Sequence, residues 1–212
     1  MSNAAIEKLY SYWNSLREDG QVPARKRVDP RAVPEVLDST FIIELVSPYD
    51  YRFRVAGLQI CEMAGMEVRG LSPEVLVAKP HKHRLSAIIA EVAARPTVAR
   101  LEIETVDSSG NRSETQMILM PLRGEYQEIT RVLGCLPLAP EVSTPPVTIL
   151  LRGIDLQSVD YFQQPETEYA GFAEDRTSFL QDGAHLFRSI QGGGQRRATG
   201  TKPAREFLRV VD

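Results

Sequence analysis

Side chains able to do chemistry are few in this sequence and stand far apart. His81-Lys82-His83 places two histidines two positions apart. On a helix that spacing points the imidazoles in different directions, and no Cys, Asp or Glu cluster stands beside them to complete a metal site. A surface role is expected for both, and no metal. Cys61 and Cys135 lie far apart within apolar segments, where they read as buried thiols in a reducing cytoplasm rather than a disulfide or reactive pair. Gly192-Gly193-Gly194 is not followed by the lysine and hydroxyl residue of a phosphate loop. No Gly-x-Gly-x-x-Gly follows a strand, and no Gly-x-Ser-x-Gly elbow, kinase or cyclase signature occurs. If the protein signals, it is expected to do so by binding.

The elements that would position such groups are clearer. Phe41-Ile42-Ile43-Glu44-Leu45-Val46 is β-branched and aromatic, and Tyr51-Arg52-Phe53-Arg54-Val55 alternates at period two. With the turn sequence Ser47-Pro48-Tyr49-Asp50 between them, they predict a hairpin carrying Tyr51, Phe53 and Val55 on one face and both arginines on the other. Leu58, Ile60, Cys61 and Ala64 fit one side of a short helix closed by Gly65, and Ser72-Pro73 starts another. From Pro80 to about Arg95, Leu85, Ile88, Ile89 and Val92 form the stripe of a longer amphipathic helix that Pro96 stops. Its polar side carries His81, Lys82, Arg84 and Glu91.

Three more strands follow. Val98 to Val106 and Glu114 to Leu122 flank the loop Asp107-Ser108-Ser109-Gly110-Asn111-Arg112, and Thr130 to Leu138 supplies a fifth strand. Asp29-Pro30 caps a short helix ahead of the sheet, with Val33, Val36 and Leu37 as its apolar members. The order is β-β-α-α-α-β-β-β. It predicts an α+β fold, a five-stranded antiparallel sheet with helices on one face, plus an N-terminal helix and a C-terminal extension. The expected boundaries are 1–37 for the N-terminal helix and Pro-containing connector, 38–140 for the domain, and 141–212 for a partly flexible extension.

In this order and spacing the chain resembles the PAS domain, a sensory and interaction module. More narrowly it is similar to a small bacterial PAS family in which the domain is most of the protein. The stretches that carry the resemblance are Tyr12-Trp13, Pro23-Ala24-Arg25, Asp29-Pro30, Phe53-Arg54-Val55-Ala56-Gly57, the Gly65 and Gly70 pair, Met120-Pro121-Leu122 and Leu133-Gly134, within Leu9 to Leu138. The resemblance implies a bacterial signal-transduction protein acting through protein-protein contacts, with a hydrophobic cavity between sheet and long helix. Candidate lining residues are Phe53, Val55, Ile60, Met63, Leu85, Ile88, Leu101, Ile103 and Met117. That cavity either holds a small apolar ligand or is simply packed. Some PAS domains hold haem through a histidine on the long helix, but His81 and His83 have polar surroundings. Flavin-binding PAS sensors carry an Asn-Cys-Arg-Phe-Leu-like motif, which Gln59-Ile60-Cys61-Glu62-Met63 does not match. Neither haem nor flavin is expected.

Ile6, Leu9, Trp13 and Leu16 form one stripe of a first helix ending near Gly20. That stripe packs on its own sheet or, as the resemblance implies, pairs between subunits of a homodimer. Arg25, Lys26 and Arg27 in the connector are expected to be solvated. Beyond Leu138, Pro140, Pro145 and Pro146 mark a boundary, and Val147 to Leu151 reads as a lone strand leaving the domain. A helix is expected around Glu174 to Ile190, and the basic end from Gly192 to Arg209 reads as a solvated tail.

The 212 residues carry 25 Lys and Arg against 28 Asp and Glu, for a net charge of −3. Nothing in that balance asks for nucleic acid or an anionic membrane. With no long apolar run and no leader sequence, a soluble cytoplasmic protein is expected. A regulator that binds a signalling protein such as a kinase is the favoured reading. The alternative is a small cone-shaped α+β enzyme, isomerase or hydrolase-like, with acid and base groups in the cavity. Against it, Arg52, Arg54, Arg100, Glu102 and Glu104 all fall on faces opposite the apolar ones.

Overall fold

Segments with period-two alternation form strands and those with helical spacing form helices, in the expected order up to the fifth strand. The computed structural model describes residues 2–47, 50–126 and 128–159. Its helices are α1 (Ser2–Ser15), α2 (Leu58–Ala64) and α3 (Lys82–Ala94). Its strands are β1 (Thr40–Ser47), β2 (Asp50–Ala56), β3 (Thr97–Val106), β4 (Arg112–Arg123), β5 (Ile129–Cys135) and β6 (Thr148–Ser158). Capping chemistry sets several boundaries. The Asp29 carboxylate accepts from the Arg31 N–H at 2.9 Å, and the Ser72 hydroxyl accepts from the Glu74 N–H at 3.3 Å. Gly65 closes α2 at φ 71°, a left-handed conformation that favours glycine.

The strands form one antiparallel sheet in the order β2-β1-β5-β4-β3-β6. The expected count of five is thereby corrected to six. Thr148–Ser158 does not leave the domain; it pairs along β3 from Thr97↔Ser158 to Val106↔Thr148. The sheet therefore continues past the boundary expected at 140. A further parallel bridge, Val77↔Ile149, and a bond from the Ala78 N–H to the Ile149 carbonyl at 3.0 Å tie β6 to the segment before α3. Local pattern could not announce this partner, because β3 lies far upstream.

Both faces of the sheet are covered, not one. Phe41, Ile43, Phe53, Leu101, Ile103, Met117 and Leu119 pack under α2 and α3 against Ile60, Met63, Leu85, Ile89 and Val92. On the opposite face Ile42, Val98, Ile118, Met120, Leu122, Leu133 and Cys135 pack against Ile6, Leu9 and Trp13 of α1 and Val33 and Val36 of the connector. A strand buried on both sides loses its polar alternation, which is why β4 is apolar from Met117 to Leu122. The helix expected around Glu174 to Ile190 and the basic end from Gly192 to Arg209 lie outside the described residues. So do Pro48 and Tyr49 of the first turn.

Candidate functional site: a filled core and an open basic cleft

Eight of the nine cavity candidates lie together. Phe53, Ile60, Met63, Leu85, Ile88, Leu101, Ile103 and Met117 are buried in one cluster between the sheet and α3. Val55 is not among them and stands 42% exposed. A bulge explains the difference. Ile42 pairs with Val55 but Ile43 pairs with Phe53, so Arg54 is an extra residue on β2 and the face parity flips there. Phe53 follows Ile43 inward under α3, whereas Val55 follows Ile42 to the opposite face.

The cluster is filled. The Phe41 and Phe53 rings meet edge to face with centroids 5.5 Å apart. Beside them, Leu76, Leu85, Ile89 and Met117 border a void of about 10 Å3. That is roughly the space one water needs, against about 300–1,000 Å3 for a ligand pocket. In this packing a haem or flavin ring system does not fit. The residues that would hold one stand elsewhere: His83 is exposed, His81 half-buried at the start of α3, and Cys61 half-buried with Sγ 3.8 Å from Glu67 Oε1. Among the described residues no three His, Cys, Asp or Glu side chains gather into a metal site.

Ionisable groups within the buried shell are engaged structurally. The Asp107 carboxylate accepts from the N–H groups of Ser109 and Asn111 and from Asn111 Nδ2, each at 2.9 Å. The Asn111 side chain foremost, with these backbone donors, holds its carboxyl below the usual aspartate range. Burial pushes the Cys135 thiol up, and its Sγ lies 3.4 Å from Ser39 Oγ. At the β3, β4 and β6 surface, Arg152 and then Arg112 hold the Glu104 carboxyl low by hydrogen bonding.

The interface candidates of the first helix are spent within the chain. Ile6, Leu9 and Trp13 are buried against its own sheet, and Leu16 sits half-buried just past the end of α1. A subunit interface on that stripe would require α1 to leave its sheet. Connector and helix are locked together as well. Tyr12 donates its hydroxyl to the Asp29 carbonyl at 3.1 Å and accepts from the Asp29 N–H at 2.7 Å.

Past the tip of α1, on the face it covers, the connector and sheet leave a cleft of about 740 Å3. It is lined by Ala24, Arg25 and Lys26 of the connector, Arg54 and Val55 of β2, Arg69, and Arg123, Gly124, Glu125 and Arg131 around the β4–β5 turn. Six of these ten residues are Arg or Lys and one is acidic. Glu44 of β1 supplies a second carboxylate, 2.6 Å from Arg131 Nη2 and 3.5 Å from Arg54 Nε. Arg123 is turned toward the connector, its Nε donating to the Val22 carbonyl at 2.5 Å and Nη1 to Gln21 Oε1 at 2.8 Å. Its backbone N–H donates to the Pro23 carbonyl, and Ala24 bridges it in parallel. Reading the sequence treated Arg25 and Lys26 as solvated and passed over Arg69, Arg123 and Arg131. The register supplies part of what was missing, since Glu44↔Arg131 and Ile42↔Val55 place Glu44, Arg131 and Val55 on one face.

A family model described as a PAS domain matches residues 1–137. No curated protein matches the sequence. Among solved structures the chain is similar to the light-state structure of the blue-light photoreceptor Aureochrome1 LOV, at 11% identity and a TM-score of 0.37, over 52% of this chain and 88% of that one. It is similar to an RNA-binding Light-Oxygen-Voltage receptor at 19% identity and a TM-score of 0.39, over 57% of this chain and 36% of the receptor. A Rhodobacter sphaeroides LOV protein matches at 13% identity and a TM-score of 0.37, over 64% of this chain and 66% of that protein.

Proposed function

The chain belongs to the PAS domain family, and from that membership we propose a non-enzymatic sensory or regulatory protein of bacterial signal transduction. It works in the cytoplasm as a homodimer that binds a signalling protein such as a kinase. One observation carries this reading over the acid-base enzyme. The space under α3 is apolar and filled to within about 10 Å3, while the concave, charged surface stands outside it. General acid-base catalysis needs an ionisable group within hydrogen-bond reach of a bound substrate. Asp107, the buried carboxylate, is already occupied by its own hairpin loop. Any apolar ligand taken up under α3 must open this core, so its binding is a conformational change with a differential affinity built in.

Native mass spectrometry of the purified chain, alone and mixed with a candidate signalling kinase, tests the reading. The expected spectrum is a dimer that adds mass stoichiometrically with the partner. A monomer that recruits no partner overturns it, and turnover lost on changing one core-facing acid would restore the enzyme.

A further inference from the structure

We propose that the basic cleft beside the connector binds a small phosphate-bearing molecule of nucleotide size. The sign of the charge is the first reason. The whole chain is net negative at −3, yet six basic residues line this one concavity, Arg123 with its guanidinium turned to the connector, against Glu125, Glu44 and the Glu128 carboxylate beside Gly124. Such concentration against the overall balance focuses an attractive field on anions.

Division of labour among those cations is the second reason. Glu44 holds the half-buried Arg131 at 2.6 Å and pairs more loosely with the exposed Arg54 at 3.5 Å, so part of the array is in place before any ligand arrives. Arg25, Lys26 and Arg69 carry no ion pair or hydrogen bond on their side chains among the described residues and line the same space. Their donors are available to a ligand. A planar guanidinium matches phosphate oxygens two at a time, and a pre-positioned array loses less entropy when it binds.

Shape decides the class of anion. A volume of about 740 Å3 lies in the range of small-molecule pockets, roughly 300–1,000 Å3. A single-stranded nucleic acid calls for a basic groove that tracks the backbone with aromatic platforms along it. A protein partner calls for a broad patch of about 800 Å2. Here the cations ring one hollow, and Val55, turned outward by the bulge, offers an apolar surface within it. A molecule with an anionic end and a ring to set on Val55 fits both features. The assignment stands on the cleft alone and not on the regulatory reading.

Isothermal titration calorimetry of the full chain with adenosine triphosphate and with inorganic triphosphate tests it. The expected result is one-to-one binding of both probes, tighter for the nucleotide. Changing Arg25→Ala, Lys26→Ala and Arg69→Ala together should weaken binding at least tenfold with little change in melting temperature, because among the described residues these side chains make no ion pair or hydrogen bond. Arg84→Ala on the polar side of α3 should change neither. If the triple variant unfolds, Lys26→Ala alone serves, with roughly a threefold loss expected. Silence from both probes overturns the proposal, as does binding that survives the variants. Binding confined to an oligonucleotide or an acidic peptide overturns it too, by assigning the cleft to another class of partner. None of these outcomes bears on the dimer or kinase measurement, which reads a different interaction.

Discussion

The indole Nε1 of Trp13 donates to the carbonyl oxygen of Pro121 at 2.9 Å, wholly inside the α1 side of the sheet. β4 overshoots β3 here, since their pairing stops at Ala99↔Leu119. Two residues further on, Arg123 directs its N–H to the connector's Pro23 carbonyl rather than to β5. Successive odd positions of a strand point their backbone groups the same way, so the N–H that Pro121 lacks would have found no strand there. Its carbonyl is taken by Trp13 instead.

Trp13→Ala should cost about 3–5 kcal/mol, as for a large core aromatic. Trp13→Phe should cost less, about 1–3 kcal/mol, chiefly the unpaired Pro121 carbonyl. Urea denaturation followed by circular dichroism measures both, because Trp13 is the sole tryptophan and fluorescence would be lost. A cost near zero for Trp13→Phe would show that packing alone anchors α1.

Gly57→Ala should destabilise by about 1–3 kcal/mol through overpacking. A Cβ at this position would run into the backbone carbonyls of Leu37 and Asp38, while the Gly57 N–H is held by the Thr40 carbonyl at 2.8 Å. Backbone cannot rotate away as a side chain can. A melting temperature unchanged by the substitution would mean that the connector gives way there.

Asp107 makes stability depend on pH in one direction. Its folded carboxyl titrates below its unfolded value, so its contribution is complete above the unfolded carboxylate range and is lost as pH falls through the lower folded value. The gap in melting temperature between the parent and Asp107→Asn should therefore be widest near neutrality and close in acid. A gap that widened on acidification would contradict the hydrogen-bond scheme.

Ending the chain after Leu138 should give a less stable, aggregation-prone protein than ending it after Val159. The shorter chain lacks β6, whose Ile149 and Leu151 are buried in the α3-side core, and leaves β3 as a bare edge. Thermal melts and light scattering of the two chains compare them. Equal behaviour would restore the boundary at 140.

How much of this was legible depended on how local the cause was. Caps at Asp29, Ser72 and Gly65 act within a few residues, and α3 announces itself by its own spacing, so both were readable. Val55 was misplaced because an inserted Arg54 shifts parity without any mark in composition. β6 and the basic cleft depend on pairings between distant segments. Arg25, Arg69 and Arg131 become neighbours only after β1 has found β5, and no window along the chain contains that fact. Four of the stretches that carried the PAS resemblance turn out to share a place: Trp13 meets Pro121, Tyr12 meets Asp29, and Ala24 meets Arg123 at the seam between α1, connector and β4.

Strand order also has a consequence for how the chain is made. β5 lies between β1 and β4 and is the strand that joins the two hairpins, pairing Thr40↔Cys135 on one side and Ile118↔Cys135 on the other. A ribosome delivers β1 through β4 before β5 emerges, so the nascent chain carries two unclosed halves until Ile129–Cys135 has been synthesised. During that interval the inner edges of β1 and β4 are exposed templates for wrong pairing. Only with β5 in place do the two halves form one sheet.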